Sequence, residues 1–257
     1  MTFTSAAHVS VDDHPLDAAY AAQCKARLDA DGALILENFL TPEALAILQA
    51  DAETVSDEAY FCTQSHNIYL TEANADGDGL HSRQHVSSKG CVPHDQVPAA
   101  SPLRKIYGCP QFRDFLAGVL GHPVYDYADT LASLNIHFFN DGQELGWHYD
   151  NSSFAITLMV QQPTAGGEFE YISNCRDSDA GTEDTKQVTR LLDGDLKPDC
   201  LNMPAGTLVM FRGRDSLHRV TPAVGPRQRI LITLAYNSEP GVSLSENARM
   251  MFFGRLD

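Results

Sequence analysis

Residues 131–139 read LASLNIHFF and begin the part of the chain whose pattern decides the fold. From this point, short apolar runs rich in β-branched and aromatic residues alternate with turns that contain glycine and proline. Further runs of this kind lie at 154–161, 167–172, 207–212, 217–221 and 228–236. Many short strands separated in this way are typical of an antiparallel sandwich or jelly roll. We therefore predict a jelly-roll core over residues 124–237.

Helices are predicted before this core. Apolar residues at helical spacing, and a threonine cap followed by proline, predict helices over residues 16–30, 42–58 and 102–119. An apolar run at 33–36 has strand character. We expect residues 1–123 to support the core with helices packed on one sheet, which makes the fold α+β with mainly β content. A length of 257 residues suits a single domain over residues 1–257.

Two long segments interrupt this pattern. Residues 60–100 contain four histidines with several glycines and prolines and show no clear period. A stretch of that length without regular structure is usually functional, so we interpret it as lid loops over an active-site mouth. Residues 173–200 are polar and acidic, and we expect this insertion to form a flap.

Composition excludes several classes of partner. A formal net charge of −16 repels phosphate backbones, so nucleic acid is not expected to bind. No apolar run approaches the roughly 20 residues that span a bilayer, and the N-terminal sequence lacks the features of a signal peptide. The six cysteines form no C-x-x-C pair. We expect a cytoplasmic protein with reduced thiols and a small-molecule partner, while the oligomeric state stays open.

One group of residues has the chemistry of a metal site. His148 and Asp150 are two positions apart at a predicted strand edge, so both side chains can project to the same side. His218 follows on a later predicted strand. Two histidines and one carboxylate on one face of a metal leave coordination positions open, as Fe(II) enzymes that bind a co-substrate and dioxygen require. We predict His148, Asp150 and His218 as catalytic metal ligands.

An arginine accompanies the predicted triad. Arg229 begins the apolar run RILIT, eleven positions after His218. Burying its charge is costly unless it meets an anion, and its planar fork suits a carboxylate. Thr233 lies on the same face four residues later and could donate its hydroxyl to the same ligand. The alternative is a structural arginine paired with Asp or Glu.

Three further residues could line the same interior. Asn135 and His137 are two apart on the strand predicted at 131–139, so both can face the inside; we assign Asn135 to the co-substrate and His137 to the substrate. For His137 the alternative is a core or rim histidine. Asn151 follows the metal strand and could reach the substrate, with a solvated loop as the equal alternative.

Several motifs resemble those of one superfamily. Residues 142–150, GQELGWHYD, resemble the G-x-x-L-x-x-H-x-D stretch of prolyl-hydroxylase-like iron(II)/2-oxoglutarate oxygenases. Residues 166–169 (GGEF) and 204–211 (PAGTLVMF), followed by His218, resemble its later elements. The resemblance covers about residues 130–237. It implies a double-stranded β-helix of the cupin-like kind, with Fe(II), 2-oxoglutarate and O2 as cofactors and Arg229 on the distal carboxylate of 2-oxoglutarate.

A narrower resemblance concerns the substrate. The segment H-x-D-N-S-x-F-x-x-T-L-x-x-Q, which begins at His148, resembles small bacterial amino-acid hydroxylases related to free-lysine halogenases. In the halogenating members glycine replaces the metal-binding aspartate, so Asp150 implies hydroxylation. In this group an arginine from the lid region contacts the substrate, and the resemblance assigns that role to Arg83.

The expected function is therefore hydroxylation of an unactivated C–H in a free amino acid or similar small polar metabolite, with release of succinate and CO2. Two alternatives stay open. A peptidyl hydroxylase of the prolyl-hydroxylase kind would need an open groove for a protein loop. A non-catalytic cupin-like binding module would use the same three residues only for packing.

Overall fold

The computed structural model describes residues 7–72 and 79–257. The helices in these ranges are α1 (Ala18–Asp31), α2 (Pro42–Val55), α3 (Pro102–Tyr107), α4 (Pro110–Leu120), α5 (Thr185–Leu192) and α6 (Glu246–Phe253). None of these helices is long and apolar enough to cross a bilayer.

The strands in the same ranges make up most of the core. They are β1 (Ala33–Leu36), β2 (Tyr60–His66), β3 (His85–Val92), β4 (Tyr125–Asp126), β5 (Leu134–Phe139), β6 (Leu145–His148), β7 (Ala155–Gln161), β8 (Ala165–Gly166), β9 (Phe169–Ile172), β10 (Arg176–Asp177), β11 (Thr182–Glu183), β12 (Asp199–Leu201), β13 (Leu208–Phe211), β14 (Leu217–Val220), β15 (Ala223–Val224), β16 (Arg229–Leu234) and β17 (Tyr236–Asn237). The predicted strand regions are thus found within a few residues of their expected bounds.

The main sheet runs in the order β1-β13-β7-β16-β5-β3-β6-β14-β9-β12, with β2 attached to β3. Its strands pair antiparallel, as in β16 with β5 and β14 with β6. Strands far apart in this order share one apolar cluster, in which Met159 and Val209 meet Tyr171 and Leu201. The sheet therefore curls on itself into the predicted jelly roll.

Alternation along the strands separates the helix-facing core from the barrel interior. On β16, Ile230, Ile232 and Leu234 join the large cluster that also contains buried residues of α1, α2, α3 and α4. The intervening residues Arg229 and Thr233 face the other side, because successive side chains of a strand alternate. The helices therefore pack on one sheet as predicted, and the opposite face lines the interior.

The predicted third helix is broken in two. Gly108 ends α3, and Pro110 begins α4 at the first helical position. Proline is tolerated there because a backbone N–H at the first helical position has no acceptor within the helix, so the missing N–H of proline costs no hydrogen bond. The first two helices follow the prediction more closely. Thr41 caps α2 by accepting from the N–H of Ala44, and Gly32 ends α1 with a left-handed φ of 70°.

The prediction of loops over residues 60–100 is wrong for two segments, 60–66 and 85–92, which form strands. β2 and β3 form a hairpin paired over seven positions, from Tyr60↔Cys91 to His66↔His85, and β3 continues into the main sheet through β5. Both strands are half-exposed over much of their length. Polar residues therefore occur on both of their faces, and the alternation of apolar and polar residues that identifies a strand in sequence is absent. Residues 73–78 of the predicted loops lie outside the described residues.

The insertion at 173–200 is folded rather than loose. It contains the β10–β11 hairpin, α5 and the edge strand β12. Val188 and Leu191 of α5 pack with Trp147 and Tyr149 in a separate apolar cluster. The insertion therefore covers the side of the barrel next to the strand that carries His148.

Candidate metal centre and ligand cavity

The structure brings the three predicted metal ligands together. His148 and His218 are direct partners in the pairing of β6 with β14. Asp150 follows β6 by two residues, and its Oδ1 lies 3.7 Å from His148 Nε2 and 3.6 Å from His218 Nε2. Donor atoms bound to one ion at about 2.0–2.2 Å can be at most about 4.4 Å apart. These separations therefore suit three ligands of a single ion.

Hydrogen bonds to the main chain orient both imidazoles. His148 Nδ1 lies 2.7 Å from the carbonyl oxygen of Gly146, and His218 Nδ1 lies 2.9 Å from that of Ser216. A carbonyl oxygen only accepts, so each Nδ1 donates its proton and the Nε2 of each ring is the nitrogen available to a metal. Metal-binding histidines are typically held in this way, and both Nε2 atoms point towards Asp150.

The protonation states of the triad favour a cation. Burial, reinforced by the neighbouring His218, lowers the pKa of His148 to about 3. Burial alone would raise the pKa of Asp150, but the adjacent imidazoles of His218 and His148 hold it below its ordinary value. At neutral pH the site thus offers neutral imidazole nitrogen and a carboxylate, the deprotonated forms that metal binding requires.

Arg229 is fully buried and only partly hydrogen-bonded. Its Nε donates to the carbonyl of Gly167 at 3.1 Å, while both terminal nitrogens are buried without a partner in the described residues. Burial lowers the pKa of Arg229 to about 10, so the group is still charged at pH 7. No carboxylate of the described ranges forms an ion pair with it, which contradicts the alternative of a structural pair and leaves a cation that needs an anion.

Gly167 makes room for this guanidinium. Its φ is +64°, and a Cβ at this position would lie 3.0 Å from Arg229 Cδ and 2.8 Å from Pro163 Cγ. Glycine is therefore required both by the backbone conformation and by the space that Arg229 fills. This requirement gives a physical reason for glycine in the GGEF segment.

The triad and Arg229 line one cavity of about 330 Å³, a size that suits small molecules. Thr233, the predicted partner of Arg229, lines the same cavity. Asn135 does too, but its Nδ2 already donates to the carbonyl of Ala132 at 2.8 Å, and its buried Oδ1 has no partner in the described residues. An amide oxygen accepts, so Asn135 in this orientation suits a donor group, and its assignment to the co-substrate stays a prediction.

Lys89 is a cavity residue that the sequence analysis missed. It stands on β3, with its Nζ 3.4 Å from Nδ1 of His137 and 5.2 Å from the ring centre of Phe252. Burial and the nearby charge of Lys89 hold the pKa of His137 well below its ordinary value, so this imidazole is neutral and accepts from the ammonium group. His137 lines the cavity as predicted. Recognising β3 as a strand would have placed Lys89 on its inward face.

The two remaining predicted residues differ in position. Asn151 lines the cavity, and its carbonyl accepts from the guanidinium of Arg214 at 3.0 Å. Arg83 does not line the cavity; its guanidinium forms an ion pair with Asp193 of the insertion at 2.7 Å. In this structure the charge of Arg83 is engaged outside the cavity, and its assignment to substrate stays a prediction. A second, polar depression of about 430 Å³ adjoins Asp150 on the side of the insertion.

Solved structures with a similar fold are oxygenases. An oxidoreductase of the 2OG-Fe(II) oxygenase family from Burkholderia pseudomallei is 14% identical with a TM-score of 0.54, covering 86% of this chain and 92% of its own. The non-heme α-ketoglutarate-dependent epimerase SnoN from nogalamycin biosynthesis is 15% identical with a TM-score of 0.58, covering 86% and 82%. A prolyl hydroxylase from Trichoplax adhaerens, solved with a peptide of hypoxia inducible factor, is 13% identical with a TM-score of 0.56, covering 86% and 90%.

These similarities establish the fold, and they confirm the predicted double-stranded β-helix with N-terminal helices. A family profile described as Halogenase D matches residues 16–251. The chain therefore belongs to the halogenase D family. This profile match, together with the fold and the His-Asp-His group, confirms the predicted superfamily of 2-oxoglutarate/iron(II) oxygenases. A comparison with curated proteins found no match.

Proposed function

We propose that residues 1–257 act as a single cytoplasmic oxygenase domain that uses Fe(II), 2-oxoglutarate and O2. Its reaction is the hydroxylation of an unactivated C–H of a free amino acid or similar small polar metabolite, with release of succinate and CO2. One observation carries the proposal: two terminal nitrogens of Arg229 have no partner among the described residues, and Arg229 lines the cavity that also holds the triad. A dicarboxylate that reaches the metal with one end satisfies this fork with the other.

The residues divide the work of binding. His148, Asp150 and His218 would hold Fe(II) on one face and leave the other face open to ligands. Arg229 would bind the distal carboxylate of 2-oxoglutarate, with the Thr233 hydroxyl as a further donor. When bound, iron with 2-oxoglutarate and dioxygen supplies the oxidising power for C–H cleavage. The protein would contribute the positions of these groups and a cavity with a mainly apolar lining.

Asp150 favours hydroxylation over halogenation. A halogenase needs a metal position that a halide can occupy, and the resemblance places that position where the aspartate stands. Here Asp150 Oδ1 already lies within 3.7 Å of both imidazole Nε2 atoms. With Fe(II) bound, this carboxylate would occupy the coordination position that a halide needs, and this supports hydroxylation.

Two polar groups in the cavity support an amino-acid substrate. The ammonium of Lys89 has no ion pair in the described residues and can bind a carboxylate. The free Oδ1 of Asn135 can accept from an amine or hydroxyl. Phe252 and Phe253 of α6 form an apolar wall of the cavity. This wall narrows the cavity, which therefore suits a small molecule better than a protein loop. These contacts favour the free metabolite over the peptidyl alternative.

The proposal is tested by binding and then by turnover. Anaerobic addition of Fe(II) and 2-oxoglutarate should produce a metal-to-ligand charge-transfer absorption, and a screen of free amino acids should reveal substrate-stimulated succinate release. Mass analysis of the product should show one added oxygen atom. Absence of iron binding and of the absorption would favour a binding module. A product chlorinated in the presence of chloride, or turnover of peptides only, would contradict the stated reaction.

A further inference from the structure

The carboxylate of Asp150 rests directly on the main chain of Gly213. The Asp150 N–H donates to the Gly213 carbonyl at 3.0 Å, so the two segments are joined side by side. A Cβ built on Gly213 would lie 1.8 Å from Asp150 Oδ2 and 2.6 Å from Asp150 Cγ. Both distances are far inside contact range. The carboxylate therefore occupies the space that any side chain at position 213 would need.

Backbone conformation does not explain glycine at this position. Gly213 is absent from the positive-φ glycines of the described residues, so an L-residue could adopt its conformation without strain. The three atoms nearest to the built Cβ all belong to Asp150. Glycine at position 213 is therefore explained by the neighbouring Asp150 side chain and not by the conformation of the turn.

The two carboxylate oxygens have different surroundings. Oδ1 lies 3.7 Å from His148 Nε2 and 3.6 Å from His218 Nε2, whereas Oδ2 lies against Gly213. Because position 213 has no side chain, Oδ2 can lie against the main chain of Gly213 while Oδ1 faces the two imidazoles. A carboxylate fixed in this way offers a single oxygen to an ion.

The segment that carries Gly213 is held on both sides. The Arg212 N–H donates to the carbonyl of Gly32 at 2.9 Å, and the guanidinium of Arg214 donates to the carbonyl of Asn151 at 3.0 Å. These bonds resist withdrawal of the segment if a methyl group is added. The carboxylate is the part that must move.

We propose that Gly213 is a positioning residue that sets the orientation of the Asp150 carboxylate for metal binding. The inference rests on the proposed function for the identity of the ion. Replacing Gly213 with alanine turns the carboxylate away from the two imidazoles. Loss of such a supporting contact typically weakens metal affinity by about 10–100-fold.

A cycle of variants tests the contact. Gly213→Ala is compared with wild type, and Asp150→Gly/Gly213→Ala is compared with Asp150→Gly. The readouts are the melting temperature of the metal-free protein and, for the first pair, anaerobic Co(II) affinity in the presence of 2-oxoglutarate. Gly213→Ala should lower the melting temperature by about 2–10 °C, as for other overpacked sites, and should weaken Co(II) binding. In the Asp150→Gly background it should leave the melting temperature unchanged.

Gly108→Ala is the matched control, because a Cβ there would meet its nearest neighbour, the Arg104 carbonyl oxygen, at 3.4 Å. Equal loss of melting temperature in both backgrounds, or Co(II) affinity within twofold of wild type, would overturn the proposal. One outcome is that Gly213→Ala fails to give a folded protein. In that case a folded Asp150→Gly/Gly213→Ala protein supports the proposal, whereas an unfolded double variant overturns it. The comparison of melting temperatures among these variants is made on metal-free protein. A wild-type protein that binds no Fe(II) would therefore contradict the proposed function separately.

Discussion

The ammonium of Lys89 lies 3.4 Å from Nδ1 of His137 inside the ligand cavity. Together with Arg229 it places two cations in this cavity, and neither forms an ion pair with a carboxylate of the described residues. The carboxylate of Asp150 is directed to the two imidazoles of the triad. The cavity therefore has positive charge to offer to its ligands, although the whole chain has a net charge of −16.

Lys89→Met should weaken binding of the amino-acid substrate selectively. The variant keeps the apolar stem and removes the charge, so the KM for the amino acid should rise about 10–100-fold, as expected for a lost charge-assisted hydrogen bond. The KM for 2-oxoglutarate should stay within about twofold, because Arg229 is intact. Succinate release measured against each substrate separately checks this. Lys105→Met, on the exposed face of α3, is the control, and equal changes in both KM values would contradict the assignment.

Arg229→Met should separate activity from stability. The KM for 2-oxoglutarate should rise by at least about 10–100-fold, since a bidentate charged contact is lost. The metal-free protein should melt at the same temperature or higher, because the variant removes a buried charge whose two terminal nitrogens lack partners. Calorimetry of the metal-free protein and 2-oxoglutarate titrations give the two readouts. A large loss of stability without a change in KM would indicate a purely structural arginine.

His148→Ala should abolish metal binding. Two of the three protein ligands remain, and neither can restore the missing imidazole nitrogen, so Fe(II) affinity should fall by more than about 100-fold and succinate formation should cease. Anaerobic Fe(II) titration followed by metal analysis measures the effect. His8→Ala is the control, because the His8 carbonyl accepts from the N–H of Thr41 at the start of α2 and His8 does not line the cavity; it should bind Fe(II) like wild type. Full iron occupancy of His148→Ala would exclude the proposed centre.

The stability of the metal-free protein should fall as the pH drops below 6.5. Burial lowers the pKa of His85 from 6.5 to about 4, and its Nε2 is buried without a partner in the described residues. The unfolded chain takes up this proton near pH 6.5 and the folded chain only near pH 4. The stabilisation is therefore complete above 6.5 and is lost as the pH falls towards 4. Urea midpoints across this window should decline less steeply for His85→Gln, and an unchanged slope would contradict the assignment.

Regular alternation made the jelly roll predictable from sequence. β5, β7, β13 and β16 each have one face packed against the helices, so their apolar residues recur at every second position or form short buried runs. The triad was found for a related reason. Positions 148 and 150 are two apart beside a strand edge, and His218 belongs to another strand that the pattern identifies. The spacing of His148 and Asp150 became informative only together with the glycine-flanked strand edge, the later His218 and the basic Arg229, and the strands hold the two histidines in register.

Other features depend on tertiary contacts and left no local signal. The hairpin of β2 and β3 is half-exposed, so its polar residues resembled loops and Lys89 was overlooked. α6 was not predicted, although its Phe252 and Phe253 line the cavity. Arg83 was assigned to substrate by resemblance, but the partner that holds it, Asp193, lies more than a hundred residues away in sequence. The need for glycine at position 213 becomes visible only when Asp150 is seen beside it.

The two faces of β16 constrain how this protein can change. Ile230, Ile232 and Leu234 belong to the packing against the helices, while Thr233 stands among them with its side chain in the cavity. A substitution at Thr233 can change the contacts that the cavity offers to a ligand and leave that packing intact. An insertion or deletion of one residue would exchange the two faces and damage both at once. Diversification of substrate choice among relatives should therefore proceed by replacement at inward positions, with strand lengths preserved.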